Sequence, residues 1–306
     1  MKHRKKKSVP SARERERSSG TLRDADGRVH LALHRDPVNG REHLTLATPV
    51  FRDDWQNELV AAAANTAYAI VRGEPKIERA IELGRNAMTA MSKLADGLLA
   101  RAPQGAVACK PGCDHCCYQS VGVTPPEALA IFDHLRKTLG EVELAAVAAH
   151  LAVTEERTRG LSAAERFSPE HPCPFLAQGR CSIYEVRPLA CRGMNSLSAE
   201  ECARRLRDPE ARQQFLAQGL GGHSYMEPIR AVQAISAGLQ VLLSEFYNLD
   251  MRPLELTSAM HLLFEAPDAV AAGWLDGGAA FASARGGDST HEPGSRERSG
   301  ALIAVE

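Results

Sequence analysis

Between Pro75 and Ala100, the apolar residues Ile77, Ile81, Met88, Met91, Leu94 and Leu98 recur at helical spacing and predict one long amphipathic helix. Methionines on such a stripe read as core filler. Trp55, Leu59 and Ala62 share one face of an earlier helix, from about Asp54 to Val71. Further on, "SVGVTPPEALAIFDHL" carries the marks of a helix start. Thr124 is placed as N-cap, Pro125 at the first helical position and Glu127 to close a capping box. Ala128, Ile131, Phe132 and Leu135 then form the buried face.

The same pattern predicts a helix through Leu144, Val147, Ala148 and Leu151, and one over about Ala199–Arg207 behind the pair Ser198 and Glu201. Two late helices follow. One carries Ile229, Val232, Ile235, Leu239, Leu242 and Phe246, and the other uses Leu256, Met260 and Leu263. Period-two alternation is confined to Val29, Leu31 and Leu33 and to Leu44 and Leu46, around the turn signal "DPVNG", which predicts a small N-terminal hairpin. From His171 to Asn195 prolines and glycines break any period. The fold class expected is mainly α: a helical domain with two irregular, cysteine-bearing loops converging on a metal site. The expected division is a basic disordered tail over 1–21, a hairpin or extended segment over 22–50, the helical domain over 51–283 and a disordered tail over 284–306.

Composition changes this picture little. The 306 residues are 44% hydrophobic and 25% charged, which suits a soluble globular chain with a core of ample size. Charge is unevenly spread: residues 1–20 hold eight basic side chains against two acidic ones, within a formal net charge of -1. The rest is mildly acidic, which argues against a broad nucleic-acid-binding face, and the tail itself reads as a solvated end. No stretch of about 18 apolar residues predicts a membrane span, and "SVPSARERERSSG" lacks the apolar core of a secretory signal. A cytoplasmic location is expected, where thiols stay reduced.

Candidate chemistry lies in the cysteines. The stretch "CKPGCDHCC" packs Cys109, Cys113, Cys116 and Cys117 into nine residues of a chain with only 8 cysteines. Cys173, Cys181 and Cys191 follow within "CPFLAQGRCSIYEVRPLACR", and Cys202 within "SAEEC". Thiolates are soft ligands suited to zinc or to iron–sulfur clusters. An ordinary zinc ribbon would place a second C-x2-C closer, and disulfides are disfavoured in the cytosol. Buried free cysteine is the plainer alternative, strongest for Cys202. Two helices between the loops return the chain toward its starting point, so the loops can meet. Arg180, Arg187 and Arg192 are placed to offset thiolate charge, and the helix after Ser198 favours a thiolate at Cys202. The neighbours Cys116 and Cys117 reach different sites if extended and one site if helical, so two four-sulfur sites or one site with spare cysteines both fit. His115 and His171 are further candidate ligands. His223 reads as a loop residue, and Tyr184 as packing or loop ordering. No Walker loop, dinucleotide fingerprint or nucleophile elbow is present.

"CKPGCDHCC" followed by the second stretch resembles the cysteine-cluster family of zinc- or iron-chelating proteins (YkgJ-like, CxxCxxCC type). The resemblance spans about Cys109 to Cys202. This chain departs from the family label by placing three residues, Lys110, Pro111 and Gly112, between its first two cysteines. The resemblance implies a mainly helical metal-binding domain without a defined activity. A related group includes flagellin lysine methylases, which implies an iron–sulfur-dependent protein-modifying enzyme as the alternative. An interaction module carrying its basic tail to an acidic partner is the third reading.

Overall fold

The computed structural model describes residues 19–23, 29–73 and 75–285. Most of the expected tails, 1–18 and 286–306, fall outside the described residues. The chain is mainly α, as the pattern predicts, with only small sheets. Strands β1 (Ser19–Arg23), β2 (Val29–Arg35) and β3 (Glu42–Leu46) form an antiparallel sheet in that order. The predicted hairpin is β2–β3, in register from Leu31 opposite Leu46 to Arg35 opposite Glu42. Leu31 and Leu44 are buried on its inner face. Beyond β3, the Asn65 side chain acts as a further strand, accepting from the Leu44 N–H at 2.8 Å and donating to its carbonyl at 2.7 Å. An otherwise unpaired edge is thereby satisfied.

Asn65 lies on α1 (Asp54–Val71), capped by Asp53, whose carboxylate accepts from Trp55 N at 2.9 Å. The buried face of α1 is Gln56, Val60, Ala64, Ala67 and Val71, not the predicted Trp55, Leu59 and Ala62. Trp55 and Leu59 are half-buried and Ala62 is exposed. The reason is close backbone approach. α1 packs on the central helix α9 (Met226–Tyr247), where a Cβ on Gly238 would stand 2.5 Å from the Val60 carbonyl oxygen. Small side chains face this contact, and the large ones flank it.

Helix α2 (Ile77–Leu99) lies against α9 and α3 (Pro125–Thr138). Gly84 is required there, because any Cβ would sit 2.1 Å from the Pro126 carbonyl oxygen. The Thr124–Glu127 capping box forms as predicted. Helix α4 (Glu141–Thr158) covers the predicted fourth helix, and α5 (Ala163–Arg166) is a single turn behind another box, Ser162 with Glu165.

The irregular 171–195 segment is more structured than its composition suggests. Strands β5 (Leu176–Ala177) and β6 (Arg180–Cys181) form a tight hairpin, and α6 (Leu189–Gly193) ends the segment. The hairpin turn is Gln178-Gly179, both at positive φ (51° and 71°). Ser198 caps α7 (Ala199–Arg207) at the predicted position, while the Glu201 side chain turns to Arg204. Helix α8 (Pro209–Gln218) was not legible in the apolar pattern. Arg212 on it is buried and donates to the Arg205 and Leu206 carbonyls at the end of α7. Helices α10 (Leu256–Glu265) and α11 (Pro267–Leu275) close the molecule, α10 packing on α3 and α4. Two-residue strands β4 (Gly122–Val123) and β7 (Leu254–Glu255) pair between them. No described helix is long and apolar enough to cross a membrane.

Candidate metal centre

Two turns shape the first cysteine loop. In the first, the Cys113 N–H donates to the Lys110 carbonyl at 3.0 Å, with Pro111 second and Gly112 third at φ +86°. Proline and positive-φ glycine in that order give a type II turn. The extra residue between the first two cysteines is thus absorbed in a turn. In the second, a 3-10 helix spans His115–Tyr118, so Cys116 and Cys117 sit on one tight turn.

The second loop is tied to the first by backbone. The Cys173 N–H donates to the Cys117 carbonyl at 2.6 Å, and the Ala108 N–H to the Ser196 carbonyl at 2.8 Å. The β5–β6 hairpin sets Cys181 opposite Leu176, just beyond Cys173. Cys191 rides on α6, whose N-terminal Leu189 N–H donates to Glu127 Oε1 at 2.7 Å. The buried carboxylate of Glu127 therefore serves two helices: its other oxygen accepts from the Thr124 N–H and hydroxyl. Gly193 lets α6 touch α9, since a Cβ there would lie 2.5 Å from Val232 Cγ2.

Two buried arginines hold the loops. All three guanidinium nitrogens of Arg192 donate: to the Arg187 carbonyl at 2.8 Å, to the Glu185 carbonyl at 2.6 Å and to Ser92 Oγ on α2. Arg166, on α5, donates to the Tyr118 carbonyl in the first loop and the His171 carbonyl in the second. Arg166 went unread in the sequence; the only local signal was the S-x-x-E box before it. Of the arginines expected near the thiols, Arg187 acts on Cys116, Cys181 and Cys191 and stacks 4.4 Å above the Tyr184 ring. Arg180 is exposed at the hairpin.

None of the eight cysteines is in a disulfide; Cys109 and Cys116 keep much of their residue surface in solvent although surrounding atoms desolvate their thiols, and the others are half-buried. Burial pushes the Cys173 thiol up to about 12, and pushes Cys109, Cys181 and Cys191 up as well. Neighbouring thiols add to this: Cys113, Cys116 and Cys202 around Cys109, and Cys173, Cys116 and Cys181 around Cys191. Cys116 is raised first by its hydrogen bond with Cys117 and then by burial. Crowded thiols of this kind stay protonated until a cation compensates them.

A cleft opens beside the first loop, lined by Cys109, Cys113, His115, Cys116 and Cys202. Phe167, Phe215 and Leu220 form its apolar wall, which belongs to a satellite core under α7 and α8. His115 Nδ1 is buried without a hydrogen-bond partner, 3.9 Å from Asp114 Oδ1. His171 Nδ1 is likewise buried and unpartnered. His223 is structural: its carbonyl accepts from the Leu197 N–H and its ring meets Phe215 edge-on. The donor set suits a soft cation, eight thiols with buried imidazole nitrogens nearby. Among the described residues, no group of three or more His, Cys, Asp or Glu side chains is arranged to hold a metal ion as it stands.

Residues 108–210 match the model of the CxxCxxCC family, described as "Putative zinc- or iron-chelating domain". No curated protein and no solved structure matches the chain. The matched segment starts one residue before Cys109 and takes in all eight cysteines. Residues 108–210 are thus similar to the CxxCxxCC family, and that description supports a metal-binding role.

Proposed function

We propose that the chain is a cytoplasmic metal-binding protein that holds zinc or an iron–sulfur cluster through thiolates of Cys109, Cys113, Cys116, Cys117, Cys173, Cys181, Cys191 and Cys202. The observation that carries this reading is the bond from the Cys173 N–H to the Cys117 carbonyl, which seats the two cysteine loops side by side. The family description supports it independently. Binding needs the sulfurs to turn toward common centres and lose their protons. Arg187, Arg192 and Arg166 are positioned to offset the resulting negative charge, each lying within electrostatic reach of at least one thiol. Zinc would supply a structural clip between the loops, and an iron–sulfur cluster would add electron transfer.

A second reading is an iron–sulfur-dependent protein-modifying enzyme. One observation favours it: the cleft brings solvent to four of the thiols, so a substrate has a route to the sulfurs. Anaerobic purification, with zinc, iron and sulfide quantified and a visible spectrum recorded, tests both. Bound metal is expected, with a broad charge-transfer band near 400 nm if a cluster is present. A colourless, metal-free chain that remains folded overturns the reading.

A further inference from the structure

The cleft beside the first loop carries a buried positive charge. No Asp or Glu lines it, and Arg205 on α7 is its one lining side chain with a permanent charge. Arg205 is almost sealed from water, its side chain only 6% exposed, and its guanidinium stacks 4.1 Å above the Phe215 ring of the apolar wall. Among the described residues this guanidinium donates no hydrogen bond. The carboxylate paired with it is Glu201, whose Oε2 stands 4.0 Å away, beyond hydrogen-bonding distance. Glu201 is itself held by Arg204, with Nη2 2.8 Å from Oε2 and Nε 3.1 Å from Oε1. Arg212, buried on α8, lies 5.7 Å over Phe167 in the same wall. It donates to carbonyls, of Ala164, Arg205 and Leu206, and has no carboxylate partner among the described residues. Two buried guanidiniums thus share one distant carboxylate. A buried charge without a close counter-ion is costly, so the cleft lacks an anion. His115 Nδ1, buried without a partner, belongs to a residue lining the same cleft.

We propose that this cleft binds a small organic carboxylate, with its oxygens on the Arg205 guanidinium and its apolar body against Phe167, Phe215 and Leu220. The planar fork of a guanidinium matches a carboxylate, and its free N–H groups supply charge-assisted hydrogen bonds. An apolar wall with one convergent polar anchor is the usual build of a small-molecule site. An inorganic anion would shed water against that wall without new partners, so the wall favours a ligand with an apolar body. The proposal rests on the cleft alone and holds whether or not the thiols carry a metal. It adds a chemical class of ligand: a carboxylate bound at Arg205 lies in the space that four of the thiols also line.

Titration calorimetry on the full chain, reduced and kept anaerobic, tests this with three probes: isovalerate, its uncharged isostere isovaleramide, and inorganic phosphate. Zinc and iron are counted in the same samples. Isovalerate is expected to bind about tenfold or more tightly than isovaleramide, and more tightly than phosphate. Arg205→Gln is expected to remove that preference for the charged probe, with helical circular dichroism confirming the fold. Leu220→Trp, which narrows the cleft from a loop, is expected to weaken isovalerate binding with Arg205 in place; if Arg205→Gln unfolds, this variant and the comparison of probes decide. No isovalerate binding, equal binding of the amide, or unchanged binding in folded Arg205→Gln overturns the proposal. Phosphate bound as tightly as isovalerate overturns it too, because the apolar wall then selects nothing. Isovalerate binding that survives Arg205→Gln but vanishes on chelation is ligation to a metal and overturns it as well. Each of these failures leaves the metal-binding reading intact, whereas a metal-free chain that binds isovalerate through Arg205 upholds this proposal and counts against that reading.

Discussion

Glu127 is the residue on which the most local structure depends. Its carboxylate accepts from the Thr124 N–H at 2.9 Å, the Thr124 hydroxyl at 2.7 Å and the Leu189 N–H at 2.7 Å, all away from water. Burial raises its pKa, while these donors and Arg192 oppose the rise. Glu127→Gln turns an amide NH2 toward groups that donate, leaving one set unpaired at a cost of about 1–3 kcal/mol. A melting temperature lower by several degrees, read by circular dichroism, is the expected outcome; an unchanged one removes Glu127 from its bridging role. Half of this was legible in sequence. T-P-P-E predicts the box because all its bonds are local, whereas the bond to Leu189 spans 62 positions and leaves no local trace. Arg166 was illegible for the same reason, since both carbonyls it binds lie outside its own turn.

At the scale of elements, two joints set the geometry. Gly193 puts α6 in contact with α9, and Cys191 lies two residues away. Gly193→Ala pushes a methyl group into Val232 and the Pro228 carbonyl, with an expected cost of about 1–3 kcal/mol from overpacking. Reduced thermal stability together with weaker zinc retention is expected; wild-type values for both would show that the contact yields freely. The other joint holds the hairpin to α1, where the Tyr68 hydroxyl donates to Glu42 Oε2 at 2.7 Å. That bond, foremost, holds the Glu42 carboxyl below its ordinary range, and burial with the same bond pushes Tyr68 up to about 12. A depressed carboxylate stabilises above its ordinary pKa and loses this effect as pH falls through the lowered value. Tyr68→Phe should therefore melt earlier than wild type near neutral pH, with the difference closing under acid. A difference that stays constant with pH would contradict this tie. Helices read well from sequence wherever apolar spacing was strong, as in α2 and α9. At α1 the bounds Asp54–Val71 read correctly but the buried face did not, because Ala62 and Ala64 carry no pattern to separate exposed from buried. The apolar pattern missed α8 altogether, whose anchor is a buried arginine rather than an apolar stripe.

For the whole molecule, the helices form a frame that brings two distant loops together, and the cysteines lie on those loops. The clustering of thiols was plain from spacing, and the motifs around them, "CKPGCDHCC" and "CPFLAQGRCSIYEVRPLACR", carried the family resemblance. The cleft was not, because its wall combines Phe167, Phe215 and Leu220, scattered among segments with no shared period. A bound ion would stabilise the folded chain by mass action, about 4 kcal/mol at a thousandfold excess over its dissociation constant. Chelation should then lower the melting temperature of the purified chain, most steeply for the region between 108 and 210.

X-ray absorption at the edge of whichever metal copurifies under anaerobic conditions tests the central claim most directly. Sulfur scatterers at about 2.3 Å around zinc, or the sulfur-dominated shell of an iron–sulfur centre, are the predicted result. A shell of nitrogen and oxygen alone, or a folded chain with no metal to measure, would contradict it.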